Sequence, residues 1–314
     1  MSMRAAVITA YGEPPTVIDT EPPEASDEAE LVEVEIAGLN PVDIAIASGK
    51  FDLGAPPLPY VTGKEAVGLT ADGRRIWFDE SRHPSGSLAE ITAINRNSGI
   101  ELPDGMPADK AIAFGIAGMA AWLSLEWRGG LQAGETVIIN GASGAVGQIA
   151  LQASRLLGAE KVVATARSES GRQKALALGA DAVVDTGSDD LSGDLSEATG
   201  GGADLVMDGL WGSNTSQVIK AIKGQGRLVQ VGNAAGTDAE ILAGPLRGGL
   251  IDIRGFRNFW APREKRVEAF LRMCRHCLAG ELEIEVEVLD LEDAADAWAR
   301  QQASPGHKLA LSPR

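Results

Sequence analysis

The sequence predicts an α/β protein in which a β-rich N-terminal part precedes a doubly wound parallel sheet. Three observations carry this. Residues 1–100 read mostly as short strands punctuated by Pro and Gly, as at Pro56-Pro57 and Pro103-Asp104-Gly105. From about Asp109 the texture changes, and apolar strands alternate with helices, the pattern of a parallel sheet with crossovers. At the head of that alternation, Thr136-Val137-Ile138-Ile139-Asn140 enters a small-residue turn and leaves it as an apolar helix. The length of 314 residues suits about two domains, and an apolar share of 44% is ample for packed cores.

In chain order, Met3 to Val7 is strand-like, and Leu31-Val32-Glu33-Val34-Glu35-Ile36 alternates apolar and acidic residues as a half-buried strand does. Gly68-Leu69-Thr70, Arg75 to Phe78 and Leu88 to Ile94 are further strands, together suggesting a small barrel-like domain. Residues 111–126 form an apolar helical stretch. Strands and helices then alternate at 136–140, 144–157, 161–166, 170–178, 182–185, 204–208, 214–223 and 227–232. Gly158 and Gly179 fall where helix C-caps belong. Residues 188–202 are polar and glycine-rich, and read as an exposed loop with a short helix. A helix at 263–278, a strand at 285–289, a helix at 291–303 and a strand at 308–311 complete the chain. The expected domains are 1–112, 113–254 and a return at 255–314.

The turn Gly141-Ala142-Ser143-Gly144-Ala145-Val146-Gly147 carries the chemistry. Gly144 lets backbone approach a pyrophosphate, Gly147 lets the helix pack close to the strand, and the helix N-terminus offers N–H groups and partial positive charge. Ala142 replaces the first fingerprint glycine. A second strand, Lys161 to Ala166, follows one helix later, which is the context that makes the motif a dinucleotide site rather than a tight turn. The charge balance of 28 basic against 44 acidic residues, net −16, disfavours nucleic acid and anionic membrane as partners. No stretch approaches about 20 apolar residues, and no signal peptide is visible, so a cytoplasmic site is expected. Cys274 and Cys277 form a lone C-x-x-C around His276, at helical spacing with Val267, Phe270, Leu271 and Leu278; the periodicity places them on or near a helix core face rather than at a metal.

Several segments together resemble the medium-chain dehydrogenase/reductase superfamily, and within it the zinc-free quinone oxidoreductase branch. They are Ala37-Gly38-Leu39-Asn40-Pro41-Val42-Asp43, Pro59 to Gly68 (P-Y-V-T-G-K-E-A-V-G), Ala117 to Trp122, the Gly141–Gly147 turn, Gly224 to Gly232, and Gly306-His307-Lys308-Leu309-Ala310-Leu311. The likeness covers nearly the whole chain in order. It implies a GroES-like catalytic domain interrupted by a Rossmann domain, an active site in the cleft, and a homodimer paired through Rossmann edge strands. Here that edge would come from residues 229–235 and the following chain to about Ile253.

Zinc-dependent relatives place a Cys in the first motif, a His before the Glu of the second and a further thiolate near the interdomain helix. This chain has Asn40, Lys64 and no Cys between Phe114 and Trp122. An ammonium repels the metal, and the thiolate and imidazole donors are missing, so no metal is expected. Without a Lewis acid, hydride transfer from a nicotinamide best suits an acceptor that is already electrophilic, such as a quinone or an α,β-unsaturated carbonyl. Asn40, Asp43 and Lys64 are the candidate catalytic residues. Asn40 and Asp43 also read as turn residues around Pro41. Lys64 reads either as an ammonium stabilising the developing oxyanion or as a structural partner of Glu65 or Asp43. Phe51 stands where many relatives carry a Tyr, which removes a phenolic proton donor.

Cofactor preference follows from the end of the second strand. NAD-preferring sites place Asp or Glu there; this chain has Arg167 and Ser168, with Arg172 or Lys174 in reach, a set suited to a 2′-phosphate through charge-assisted bonds. Glu169 is an acidic neighbour. NADPH is therefore the expected cofactor. Gly232 and Asn233 end a parallel strand at its carboxyl edge, and Phe256, Arg257 and Asn258 resemble family residues lining the cofactor cleft. Trp122, Trp211 and Trp260 are available to wall an aromatic pocket, with core packing the simpler role for Trp122. The functions in competition are an NADPH-dependent quinone reductase, a reductase of enones, enals or enoyl thioesters, and a non-catalytic NADPH sensor or RNA-binding relative, the charge opposing RNA.

Overall fold

The computed structural model describes residues 2–313, and the chain divides into two compact units, Met1–Ile116 with Phe270–Arg314, and Ala117–Ala269. In chain order, the first unit contains β1 (Met3–Ile8), β2 (Thr16–Thr20), β3 (Ala29–Leu39), helix α1 (Pro41–Ala47), β4 (Tyr60–Val61), β5 (Glu65–Thr70), β6 (Arg75–Phe78), β7 (Ile91–Asn95), β8 (Ile100–Glu101) and α2 (Ala108–Phe114). Next come α3 (Ile116–Leu123) and a π-helical stretch, Ser124–Gly129. The second unit continues through β9 (Thr136–Asn140), α4 (Ala145–Leu156), β10 (Lys161–Ala166), α5 (Glu169–Ala177), β11 (Ala182–Asp185), α6 (Leu191–Thr199), β12 (Ala203–Asp208), α7 (Thr215–Lys220), β13 (Ile222–Gln230), α8 (Ala243–Gly249) and β14 (Asp252–Gly255). Helix α9 (Arg263–Leu278) leads into the return, with β15 (Val286–Asp290), α10 (Ala294–Gln302) and β16 (Lys308–Ser312).

The first unit holds a three-stranded sheet, β2-β1-β4, and a seven-stranded sheet, β15-β16-β3-β5-β6-β8, with β7 also on β3. The long strand β3 shows why. Its alternation buries Val32 and Val34 while Glu33 stays exposed, and after a bulge between Val34 and Ile36 it is Ala37 and Leu39 that join them in a core with Ala66, Ile76, Phe78, Leu309 and Leu311. β16 pairs antiparallel with β3, Leu309 opposite Leu39, which places the chain's last strand beside its first long one. The stretch 111–126, expected as one helix, breaks at Gly115 (ψ −119°) because the Ile116 N–H donates instead to a buried carboxylate, Glu65 Oε2, at 2.7 Å.

The second unit is a six-stranded parallel sheet of order β11-β10-β9-β12-β13-β14. Strand order reverses between β9 and β12, and ligands of such sheets bind beyond the carboxyl ends at that point. Apolar runs fill its core, including Ile138, Val163, Val206 and Leu228. The polar segment 188–202 is more ordered than its composition suggests: α6 is capped by Asp190, which accepts from the Gly193 N–H, and buries Leu191 and Leu195, four apart on one face. The sheet edge on this side is β14, which the expected span reaches only at its end near Ile253; of residues 229–235, Val229 and Gln230 close the inner strand β13 and the rest lie outside the strands. Residues 255–269 stay with this unit because β14 pairs with β13 and the Phe256 N–H donates to Gln230 O at 3.0 Å. Among the described residues no single helix is long and apolar enough to cross a membrane.

Candidate functional site

Registers in the parallel sheet align the ends of four strands: Asn140 opposite Thr165, Asp208 opposite Asn140, and Gln230 opposite Asp208. Asn140 ties the switch point together. Its Nδ2 donates to Asp208 Oδ1 at 2.8 Å and its Oδ1 accepts from Thr165 Oγ1 at 2.7 Å, while Thr165 Oγ1 accepts from the Gly141 N–H at 3.0 Å. Burial raises the Asp208 carboxyl above the usual range, opposed by the Trp211 and Leu210 N–H groups.

The turn then enters α4 at its N-cap, Gly144, which carries no side-chain cap, so the first helical N–H groups remain for a ligand. Two glycines act differently. A Cβ on Gly147 would collide with Gly141 O and lie 2.6 Å from Ala142 Cα; one on Gly144 would meet nothing within 4 Å. Gly147 seats the helix on the turn, and Gly144 leaves open space where a pyrophosphate approaches. Ala142 is buried, and Ser143, Ala145 and Val146 are half-buried.

At the end of β10, Arg167 and Ser168 are exposed. Ser168 caps α5, accepting from the Gly171 N–H at 3.1 Å. Arg172 is committed locally, to Asp185 (2.6 Å), Glu169 (2.8 Å) and Arg167 O (2.8 Å). The acidic neighbour Glu169 is thereby paired and kept ionised: bonds from Gln173 and Arg172 hold its carboxyl below the usual range. Gly232 is half-buried and accepts from Gln230 Nε2 at 3.0 Å, whereas Asn233 is exposed. Phe256 and Arg257 line a cavity of about 450 Å³ with Trp127, Gln230 and Trp260, and the Ala142–Gly147 turn is not among its walls. Asn258 is buried beside it. Trp122 is core, and Trp260 is 73% exposed. Cys274 is buried, its thiol pushed up to about 12 by desolvation, and Cys277 is half-buried; both lie on α9 as the periodicity implied.

In the first unit the carboxylate of Glu65, 0% exposed, receives four donors. Lys308 Nζ (2.8 Å) and Asn40 Nδ2 (2.8 Å) reach Oε1; Trp77 Nε1 (3.1 Å) and Ile116 N (2.7 Å) reach Oε2. Lys308 spends its other donors on Asn40 Oδ1 (2.7 Å) and Leu39 O (3.2 Å). Glycines make the room: a Cβ on Gly38 would lie 2.5 Å from Glu65 Oε1, and one on Gly115 would strike Glu65 and Trp77. The cation bonded to Glu65 is thus Lys308, which sequence reasoning missed, and not the adjacent Lys64. Lys64 is half-buried and lines a cavity of about 390 Å³ together with Asp43, Phe51, Tyr60 and Ser81.

Asp43 sits between this cluster and the cavity. Its Oδ2 accepts from the Asn40 N–H at 2.8 Å, the reciprocal half of a capping box at α1. Its Oδ1 is buried without a hydrogen-bond partner. Burial pushes this carboxyl up from 3.8 to about 6, against the Asn40 N–H, Lys308 and Lys64, and with the charge of Glu65. The native state therefore holds this proton more tightly than the unfolded chain does. Stability falls as pH rises from about 4 through about 6, by about 3 kcal/mol. Asp43→Asn keeps the acceptor for Asn40 and removes the ionisation, so the variant should gain on the wild type across that window. Denaturant midpoints at a series of pH values check this; parallel curves for the two proteins would overturn it.

The chain is similar to several known proteins. A zinc-binding dehydrogenase family model matches residues 145–273. The quinone oxidoreductase of Lama guanicoe is 30% identical over 244 residues, covering 74% of this chain and 73% of that protein. A much longer protein of Mycobacterium tuberculosis, a phenolphthiocerol/phthiocerol polyketide synthase component, is 29% identical over 302 residues; these are 90% of this chain, which spans 13% of that protein's length. Among solved structures, the quinone oxidoreductase of Thermus thermophilus, determined alone and with NADPH, has a TM-score of 0.86 at 28% identity and covers 99% of this chain and 100% of its own. A zinc ion does not fit the matching positions. Asn40 offers an amide, Lys64 an ammonium, and Glu65 a carboxylate already saturated by Lys308 and three further donors.

Proposed function

Because the chain belongs to the medium-chain dehydrogenase/reductase superfamily, in its quinone oxidoreductase-like branch, we propose that it is a zinc-independent oxidoreductase that transfers hydride from NADPH to a quinone. The observation that carries this is the uncapped N-terminus of α4 above open Gly144, with Arg167 and Ser168, not a carboxylate, at the tip of β10. NADPH, when bound, supplies the hydride. The backbone at Gly144–Gly147 holds the pyrophosphate, and Arg167 with Ser168 holds the 2′-phosphate. Arg172 fixes Arg167 through its carbonyl rather than touching the ligand, and it pairs with Glu169. The acceptor lies in the first unit's cavity, where Lys64 places positive charge for the oxyanion that forms as hydride arrives. Lys308, with no donor to spare, acts on Glu65 and Asn40 and keeps that wall in shape.

Assaying NADPH consumption against quinones, enones and enoyl thioesters tests the reading. Quinones should give the highest kcat/KM. Preference for an enoyl thioester would move the protein to the enone-reductase class, and tight NADPH binding with no turnover on any acceptor would make it a sensor. Arg167→Asp should weaken NADPH binding about ten- to a hundred-fold, the loss of one charge-assisted contact of about 1.5–3 kcal/mol, and shift preference toward NADH. Equal binding of both cofactors by the unmutated protein would sink the 2′-phosphate assignment. We further propose a homodimer paired along β14, the exposed sheet edge, where Ile253 is 37% exposed; a monomer mass by light scattering at micromolar concentration would refute it.

A further inference from the structure

The cavity of about 450 Å³ in the second unit has a lining that reverses the charge of the chain as a whole. The chain holds 44 acidic and 28 basic residues. Yet the described residues around this cavity include two arginines, Arg128 and Arg257, and no carboxylate. Its other large side chains are aromatic: Trp127, Phe256 and Trp260. Trp127 and Phe256 meet edge to face with centroids 6.2 Å apart, and Trp260 is 73% exposed, so most of its indole is uncovered. The polar groups are held from behind. Arg128 Nε donates to Gly255 O at 2.8 Å, and the Arg128 carbonyl accepts from Arg254 Nη1 at 3.2 Å. The two terminal nitrogens of Arg128 have no partner among the described residues. Gln230 is fixed as well, its Nε2 donating to Gly232 O at 3.0 Å. Gln230 and Gly255 are the last residues of β13 and β14, so the cavity lies at the carboxyl ends of two parallel strands, the side on which such sheets take ligands. Neither the Ala142–Gly147 turn nor Arg167 is among its walls.

We propose that this cavity binds a planar aromatic carboxylate, with its ring against Trp127, Phe256 and Trp260 and its two oxygens on the terminal nitrogens of Arg128. The inference goes beyond the oxidoreductase reading and does not depend on it. A guanidinium anchored through Nε presents its other two nitrogens as a planar fork, which matches the two oxygens of a carboxylate. The bond to Gly255 O fixes that fork before the ligand arrives, so little is lost in ordering it. Aromatic rings reward a flat ring in offset or edge-to-face contact. An aliphatic acid would satisfy only the arginine, and a neutral arene only the rings. With no carboxylate on the walls, nothing there competes for the fork or repels an anion. The volume suits a molecule of about two fused rings with one substituent.

The test compares 2-naphthoate with 2-naphthamide, a pair of nearly equal shape of which only the first is charged, by calorimetry on the full chain. Naphthoate should bind about ten-fold more tightly, the low end for charge-assisted bonds because Arg128 is exposed. Arg128→Met should erase that difference by weakening naphthoate alone. Trp260→Ala should weaken both compounds several-fold, because both lose the same ring contact. Unchanged melting temperatures show that the variants fold, and the comparison of the two ligands on the unmutated chain needs no variant. Naphthoate should still bind at saturating NADP⁺. Displacement by NADP⁺ would place the aromatic anion at the cofactor's own contacts and overturn the proposal. Equal affinities for the two compounds, or no binding of either at millimolar concentration, would also overturn it. If neither compound binds and Trp260→Ala lowers the mass seen by light scattering, the aromatic wall belongs to a contact with a second copy of the chain instead.

Discussion

Lys308→Met should lower stability by about 3–5 kcal/mol, the usual consequence of removing one partner from a buried ion pair. The side chains of Lys308 and Glu65 are 2% and 0% exposed, and they meet at 2.8 Å. Methionine matches the length of the lysine stem but leaves the Glu65 carboxylate without its cation in a site that water does not reach. It also orphans Asn40 Oδ1 and Leu39 O, the other two acceptors of Nζ. The three neutral donors on Glu65 remain, which is why the loss should stay within that range rather than reach the full desolvation of a bare charge. Urea unfolding of Lys308→Met, Glu65→Gln and the double variant checks the argument. Each single change should be strongly destabilising, and the double should be less so than the sum, since it removes both charges together. A single-variant loss below about 1 kcal/mol, the level of a surface pair, would mean that the pair is hydrated and the cluster is not a sealed one.

That pair also marks where the sequence stops being legible. Asn40 and Glu65 stand out in their motifs, but the third member arrives from the last strand, 243 positions after Glu65, and no local pattern announces it. Chain proximity favours Lys64 as the partner of Glu65, yet neighbours along extended chain point to opposite sides. Lys64 goes to the cavity wall and Glu65 to the interior. The break at Gly115 is hidden for the same reason, because it takes a carboxylate from a distant strand to draw the Ile116 N–H out of a helix. The parallel sheet, in contrast, is readable except at its edge. Its central strands are apolar runs buried on both faces, such as Val137, Ile138 and Ile139, and β9 to β13 are each followed by a helix, so these signals are local. The edge strand is only touched by the expected span, which ends near Ile253, because Asp252–Gly255 is short and polar, with Ile253 its one large apolar residue.

Gly147→Val should weaken NADPH binding by about a hundred-fold or more and destabilise the second unit as well. The valine Cβ would collide with Gly141 O and stand 2.6 Å from Ala142 Cα, both of them backbone atoms that no rotamer change can move aside. Either α4 lifts away or the turn deforms, and in both cases the N–H groups at Gly144–Gly147 leave the pyrophosphate. Two charge-assisted bonds lost at about 1.5–3 kcal/mol each account for the factor, and overpacking adds about 1–3 kcal/mol of lost stability. Gly144→Ala separates cradle from scaffold. Its backbone (φ −83°) accepts alanine without strain, and the added methyl meets nothing within 4 Å of protein. The melting temperature should therefore stay put while NADPH affinity drops, because the methyl occupies the space through which the phosphates approach. Normal NADPH affinity in Gly144→Ala would place the pyrophosphate elsewhere. Normal affinity in Gly147→Val would show that the helix can shift on the turn without cost, against the close packing on which the site is built.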